Sequence, residues 1–146
     1  MVDDVLINKA GDIERAVRRI REVHAGDDAG LKQHQTRQDA VVLNLQRACE
    51  SSVDAAMHLV RIHRLGVPQE TREAFDLIER GGLIEPVVAE RMRKMVEFRH
   101  LAVHNHRELS LDVVMGIVSE RLDHFLEFTT RLLRLGAGGD PPRASS

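Results

Sequence analysis

The stretch Asp39-Ala-Val-Val-Leu-Asn-Leu-Gln-Arg-Ala-Cys-Glu-Ser-Ser-Val-Asp-Ala-Ala-Met-His-Leu-Val-Arg-Ile62 decides the fold class. Its apolar and small residues fall at Ala40/Val41, Leu45, Ala48/Cys49, Ser52, Ala55/Ala56, Leu59 and Ile62, steps of three and four that draw one stripe on a helix. The small side chains at 48–56 let a neighbouring helix approach closely. A helix over about 31–64 follows, closed by Leu65-Gly66-Val67-Pro68, a glycine stop and then a proline.

The same period continues on both sides. Leu6, Ala10, Ile13, Val17, Ile20 and Val23 predict a first helix over about 3–25, broken by Gly26-Asp27-Asp28-Ala29-Gly30. A short helix over about 69–80 stops at Gly81-Gly82, and Pro86 opens another over about 86–100. Ser110 is placed to cap a last helix over about 110–135, with Val114, Ile117/Val118, Leu122, Phe125, Phe128 and Leu132 on its stripe. No alternating strand-like run occurs. The expectation is an all-α chain, an antiparallel bundle of four to five helices over 1–135. A disordered tail, Gly-Ala-Gly-Gly-Asp-Pro-Pro-Arg-Ala-Ser-Ser, is expected over 136–146.

Composition narrows the function. The 146 residues make one domain with room for a core. Cys49 is the single cysteine, so no internal disulfide forms; it lies in the apolar stripe and reads as a buried small hydrophobe. The acidic start, Met1-Val2-Asp3-Asp4, has the wrong sign for a leader, and no apolar run is long enough to span a bilayer, so the expected location is the cytoplasm. A formal charge of −2 argues against a protein that coats nucleic acid, and four Phe with no Trp or Tyr argue against a base-stacking platform. Phosphate-binding glycine loops, nucleophile elbows and Cys-x-x-Cys pairs are missing.

One segment stands apart, Arg99-His-Leu-Ala-Val-His-Asn-His-Arg107. From Glu90 to Arg107 there are five cations (Arg91, Arg93, Lys94, Arg99, Arg107) against two anions (Glu90, Glu97). An arginine offers a permanent fork of donors to a phosphate, and a histidine exchanges protons near neutral pH. Together they suffice for RNA cleavage without a metal: a base takes the 2′-hydroxyl proton, a cation stabilises the anionic transition state, an acid protonates the leaving oxygen. On one straight helix Arg99 and His104 stand about 140° apart. Their convergence therefore requires the helix to end or kink between them, or a second copy of the chain.

The Arg99-x4-His104-x-His106 pattern resembles the signature of the HEPN superfamily, and the chain over about 1–135 resembles its HepT-like toxin family. Residues 39–50 and Pro86-Val-Val-Ala-Glu-Arg-Met-Arg-Lys-Met-Val-Glu-Phe-Arg-His-Leu-Ala-Val-His104 carry the likeness. The resemblance implies a homodimeric endoribonuclease toxin with Arg99 and His104 catalytic, and RNA as substrate. It also implies an MntA-like nucleotidyltransferase antitoxin as partner, no cofactor and no membrane. Asn105, His106 and His100 are accessory or substrate-binding candidates, and Asp39 is a candidate to hold Arg99. The family's last motif position is typically a tyrosine that the antitoxin modifies with AMP. Here it is His106, and the chain contains no tyrosine at all.

Three rival readings stay open at this level. Arg99 and His104 also fit a solvated helix end whose cation complements the dipole. His100, His104 and His106, with Glu97 or Glu108, have the spacing of a metal cluster, although no cysteine is near. The chain also fits a non-catalytic helical subunit that binds nucleotide or substrate for a partner nucleotidyltransferase. His58 and His63 read as an exposed basic face, and His24, His34 and His124 as surface or satisfied residues.

Overall fold

A computed structural model describes residues 2–104 and 111–139, of which 101–104 by backbone alone. Within them the chain forms α1 (Asp4–His24), α2 (Asp28–Gln33), α3 (Gln35–Ile62), α4 (Thr71–Arg80), α5 (Pro86–His104), α6 (Leu111–Glu120) and α7 (Leu122–Gly136), with no strand. The all-α expectation holds, but two of the expected helices are each broken into two.

The first break falls at His34, whose extended backbone (φ −117°, ψ 106°) separates α2 from α3. The carbonyls freed there find other partners. Gln38 Nε2 donates to the carbonyls of Leu31 and Lys32, and His34 Nδ1 bonds to the carbonyl of Gly30 at 2.8 Å. Periodicity cannot see such a break, because residues 32–39, Lys-Gln-His-Gln-Thr-Arg-Gln-Asp, contain no apolar side chain to mark a phase. The second falls at Arg121 (φ −124°, ψ 2°), between α6 and α7.

Helices α1 and α3 form the central antiparallel pair. Lys9, early in α1, reaches Asp54, late in α3, at 3.1 Å. Between them lie the apolar stripes expected from the sequence: Leu6, Ala10, Ile13, Val17 and Ile20 against Val41, Leu45, Ala48, Ala55, Ala56 and Leu59, all buried. Each fully buried Leu or Ile contributes about 1.5–3 kcal/mol, so this seam dominates the folding energy. Ser52 is also buried, and its hydroxyl donates to the carbonyl of Ala48, which removes the cost of enclosing it. Helix α7 covers α1, while α4 and α5 cover α3. Phe75 of α4 and Phe128 of α7 close the far side edge to face, with ring centres 5.7 Å apart.

His58 is a correction. Instead of an exposed basic face it forms a half-buried clasp, with Nε2 2.8 Å from Asp3 Oδ2 and Arg61 donating to its Nδ1. Asp3 in turn caps α1 by accepting from the N–H groups of Val5 and Leu6, and its own N–H donates to the carbonyl of Gly136 at the end of α7. One aspartate thus joins the start of α1, the late part of α3 and the end of α7. Gly136 belongs to α7, and Gly139 N–H still donates to the Arg134 carbonyl, so the expected tail is structured at least to there. Residues 140–146 lie outside the described residues.

Candidate active site

Helix α5 carries the basic segment, and it runs on through His104 where the sequence suggested an end near residue 100. Arg99 and His104 therefore sit on one continuous helix, about 140° apart. A break between them does not bring them together. Asn105, His106 and Glu108, like the side chain of His104, lie outside the described residues, and with them most of the candidate metal cluster.

The positive charge of the segment is largely spent on structure. Arg91 grips both carboxylate oxygens of Glu127 on α7, at 2.7 and 2.6 Å. Arg93 reaches Asp76 and Glu79 on α4, at 3.0 and 2.9 Å. Lys94 pairs loosely with Glu90, at 3.6 Å. The first two pairs pin α5 to α7 and α4, the third lies within α5, and together they leave little net charge in the field.

Arg99 is different. Its side chain is half-buried, and its Nε is enclosed without a hydrogen bond, 3.9 Å from Glu50 Oε1 on α3. That distance is an ion pair without a hydrogen bond. The guanidinium is thus oriented by charge while its Nη amines stay uncommitted among the described residues. Glu50 is the residue that sequence reasoning missed. Its neighbour Cys49 was read in the apolar stripe, but only packing shows that α5 crosses α3 at this level. Asp39, the candidate partner of Arg99, is exposed and accepts a 2.8 Å hydrogen bond from Gln35 instead. It stands eleven residues from Glu50, about 16 Å along the helix.

Cys49 sits beneath this pair. It is fully buried and its Sγ donates to the Met95 carbonyl at 3.3 Å. Burial pushes its thiol up to about 12, with Arg99 opposing and Glu50 adding to the rise. A thiol so held is packing, not a nucleophile.

The family model described as ribonuclease HepT-like matches residues 13–132. The chain belongs to the HepT-like ribonuclease family. It is 42% identical over 127 residues to the mRNA nuclease HepT of Shewanella oneidensis, an alignment covering 87% of this chain and 95% of that one. Among solved structures, it resembles the tri-AMPylated Shewanella oneidensis HEPN toxin in complex with MNT antitoxin, with a TM-score of 0.84 and 40% identity over 90% of this chain and 98% of that one. A toxin–antitoxin crystal structure with AMP-PNP aligns equally well, at a TM-score of 0.84 and 40% identity, covering 90% and 99%. The HepT-like chain has no helix, among its described residues, long and apolar enough to cross a membrane.

Proposed function

We propose that this HepT-like chain is the toxin of a toxin–antitoxin pair, an endoribonuclease that needs no metal and works as a homodimer. The observation that carries the reading is the Arg99-x4-His104 pair on one uninterrupted helix, in a chain 42% identical to a named mRNA nuclease. Because the two positions diverge by about 140° on α5, the arginine of one copy serves the histidine of another. The Nη amines of Arg99 bind the scissile phosphate and stabilise the crowded anionic phosphorus. An imidazole at 104 takes the proton of the ribose 2′-hydroxyl, whose oxygen attacks phosphorus. The P–O5′ bond breaks, and the imidazole of the second copy protonates the leaving oxygen. The products are a 2′,3′-cyclic phosphate and a 5′-hydroxyl, with no water consumed.

The partner is a nucleotidyltransferase antitoxin. A relative is described as tri-AMPylated in complex with its MNT antitoxin, whereas this chain has no tyrosine to modify. Neutralisation here proceeds through the complex itself. The test uses purified wild type, Arg99→Ala and His104→Ala with RNA in EDTA. Wild type cuts and each variant alone is silent. Mixing the two variants restores only a small part of the activity, because a mixed dimer pairs one intact Arg99 with one intact His104 in opposite copies but lacks the second imidazole that protonates the leaving oxygen. Equal cutting by all three proteins, or no cutting by wild type, removes the reading. Intact RNA together with an altered nucleotidyltransferase activity supports the non-catalytic subunit instead.

A further inference from the structure

A cavity of roughly 580 Å³ lies between the start of α4 and the side of α5, lined by Glu70, Thr71, Arg72, Val96, Glu97 and His100. Its α5 wall is a single stripe: Val96, Glu97 and His100 follow at helical spacing, and helix register puts position 104 one turn farther on that stripe. Arg99 is one residue, about 100°, round the helix from His100. The cavity therefore lies along the α5 stripe that continues in register to position 104 and stands one residue round the helix from Arg99.

Its own chemistry does not suit a phosphate. Arg72 Nη1 is held by Glu97 Oε1 at 2.6 Å, and the carboxylate of Glu70 is exposed and has no partner among the described residues. Two carboxylates against one guanidinium would repel an anion. The lining instead combines a planar guanidinium and a planar imidazole with a carboxylate acceptor and the edge of Val96. Unstacked RNA bases are held by such planes and hydrogen-bonded along their edges. No phenylalanine competes for that role, since Phe75, Phe98, Phe125 and Phe128 are all buried.

We propose that this cavity holds one unstacked nucleobase of the RNA substrate, next to the scissile phosphate. It selects a base bearing an amino group (adenine, cytosine or guanine) over uracil. His100 and Arg72 supply the flanking planes, and Glu70 accepts from the amino group; uracil's one edge donor, N3–H, sits between two carbonyl oxygens that repel a carboxylate. The inference rests on the ribonuclease reading and adds specificity to it.

The test is cleavage of a randomised single-stranded RNA pool by the full-length protein, with the new 5′-hydroxyl ends sequenced. Wild type disfavours uracil at one position flanking the cut by at least tenfold. Glu70→Gln, exposed and not expected to unfold the protein, lowers that ratio below threefold. Glu120→Gln, an exposed carboxylate on α6 outside the cavity, keeps it. Fluorescence anisotropy with non-cleavable 2′-deoxy oligonucleotides reads the same preference without turnover: adenine-rich strands bind wild type more tightly than uracil-rich ones, and Glu70→Gln narrows the gap. A flat base profile in wild type, or a profile unchanged in Glu70→Gln, overturns the cavity assignment and leaves the nuclease standing. A wild type that cuts no RNA overturns both.

Discussion

Replacing Asp3 by alanine tests the clasp that closes the bundle. The substitution removes two things and leaves a third. It deletes the cap that accepts from Val5 and Leu6 N–H at 3.0 and 3.3 Å, a loss of about 1 kcal/mol. It also strands the half-buried His58 imidazole, 2.8 Å from the missing oxygen, and a hydrogen bond to a charged partner is worth about 1.5–3 kcal/mol. The backbone bond from residue 3 to the Gly136 carbonyl survives, since it needs no side chain. The sum is about 3 kcal/mol, or roughly 6–12 °C in melting temperature for a domain of this size. Asp3→Asn keeps the cap and loses mainly the charge, so about half the penalty is expected.

The effect also carries a pH signature. Burial of Asp3 opposes ionisation, but the hydrogen bonds from His58 and from the Leu6 and Val5 N–H groups, with the charge of His58, outweigh it and hold the carboxyl below its ordinary 3.8. A depressed carboxyl stabilises the fold above its unfolded value, and that contribution disappears as pH falls through the folded value. The share of the gap between wild type and Asp3→Ala that comes from the Asp3 carboxylate is therefore lost as pH falls below about 4. Urea unfolding at a series of pH values, with Asp3→Ala, His58→Ala and the double variant, measures it. A gap that stays flat down to pH 3, or single effects that simply add, would refute the clasp.

Other outcomes follow from the same packing. Raising the Cys49 thiol from 9.0 to about 12 cuts its thiolate fraction about a thousandfold, so iodoacetamide labels it only at the rate of unfolding; rapid native labelling would contradict this. Gly136→Ala places a Cβ 3.0 Å from Ile7 Cγ1 and 3.3 Å from the Asp3 carbonyl oxygen, and an overpacking loss of about 1–2 kcal/mol is expected in urea. Arg131, with its side chain only 13% exposed, is held by Glu85 while its Nε finds no partner. Glu85, itself 38% exposed, leaves Arg131 partly solvated when it is removed, so Glu85→Ala costs about 1–2 kcal/mol, and the joint replacement of Arg131 by Met and Glu85 by Leu restores most of it; a double variant no more stable than the single one would count against that account.

The helical character of the chain, the seam of α3 and the inert place of Cys49 were legible in the sequence, because a period near 3.6 and a run of small residues depend only on which residues follow which. The types and spacing of Arg99 and His104 suggested a chemistry for the same reason, and the structure places both positions on one helix. Tertiary structure alone decided the rest. Breaks at His34 and Arg121 come from side chains that satisfy freed carbonyls or from a local backbone turn; the first falls in a wholly polar run and the second leaves the stripe in step. Glu50 rather than Asp39 faces Arg99 because α5 crosses α3 three turns farther along, a matter of helix packing that no local spacing encodes. The basic segment loses most of its charge to Asp76, Glu79 and Glu127, partners distant in sequence and near only after folding.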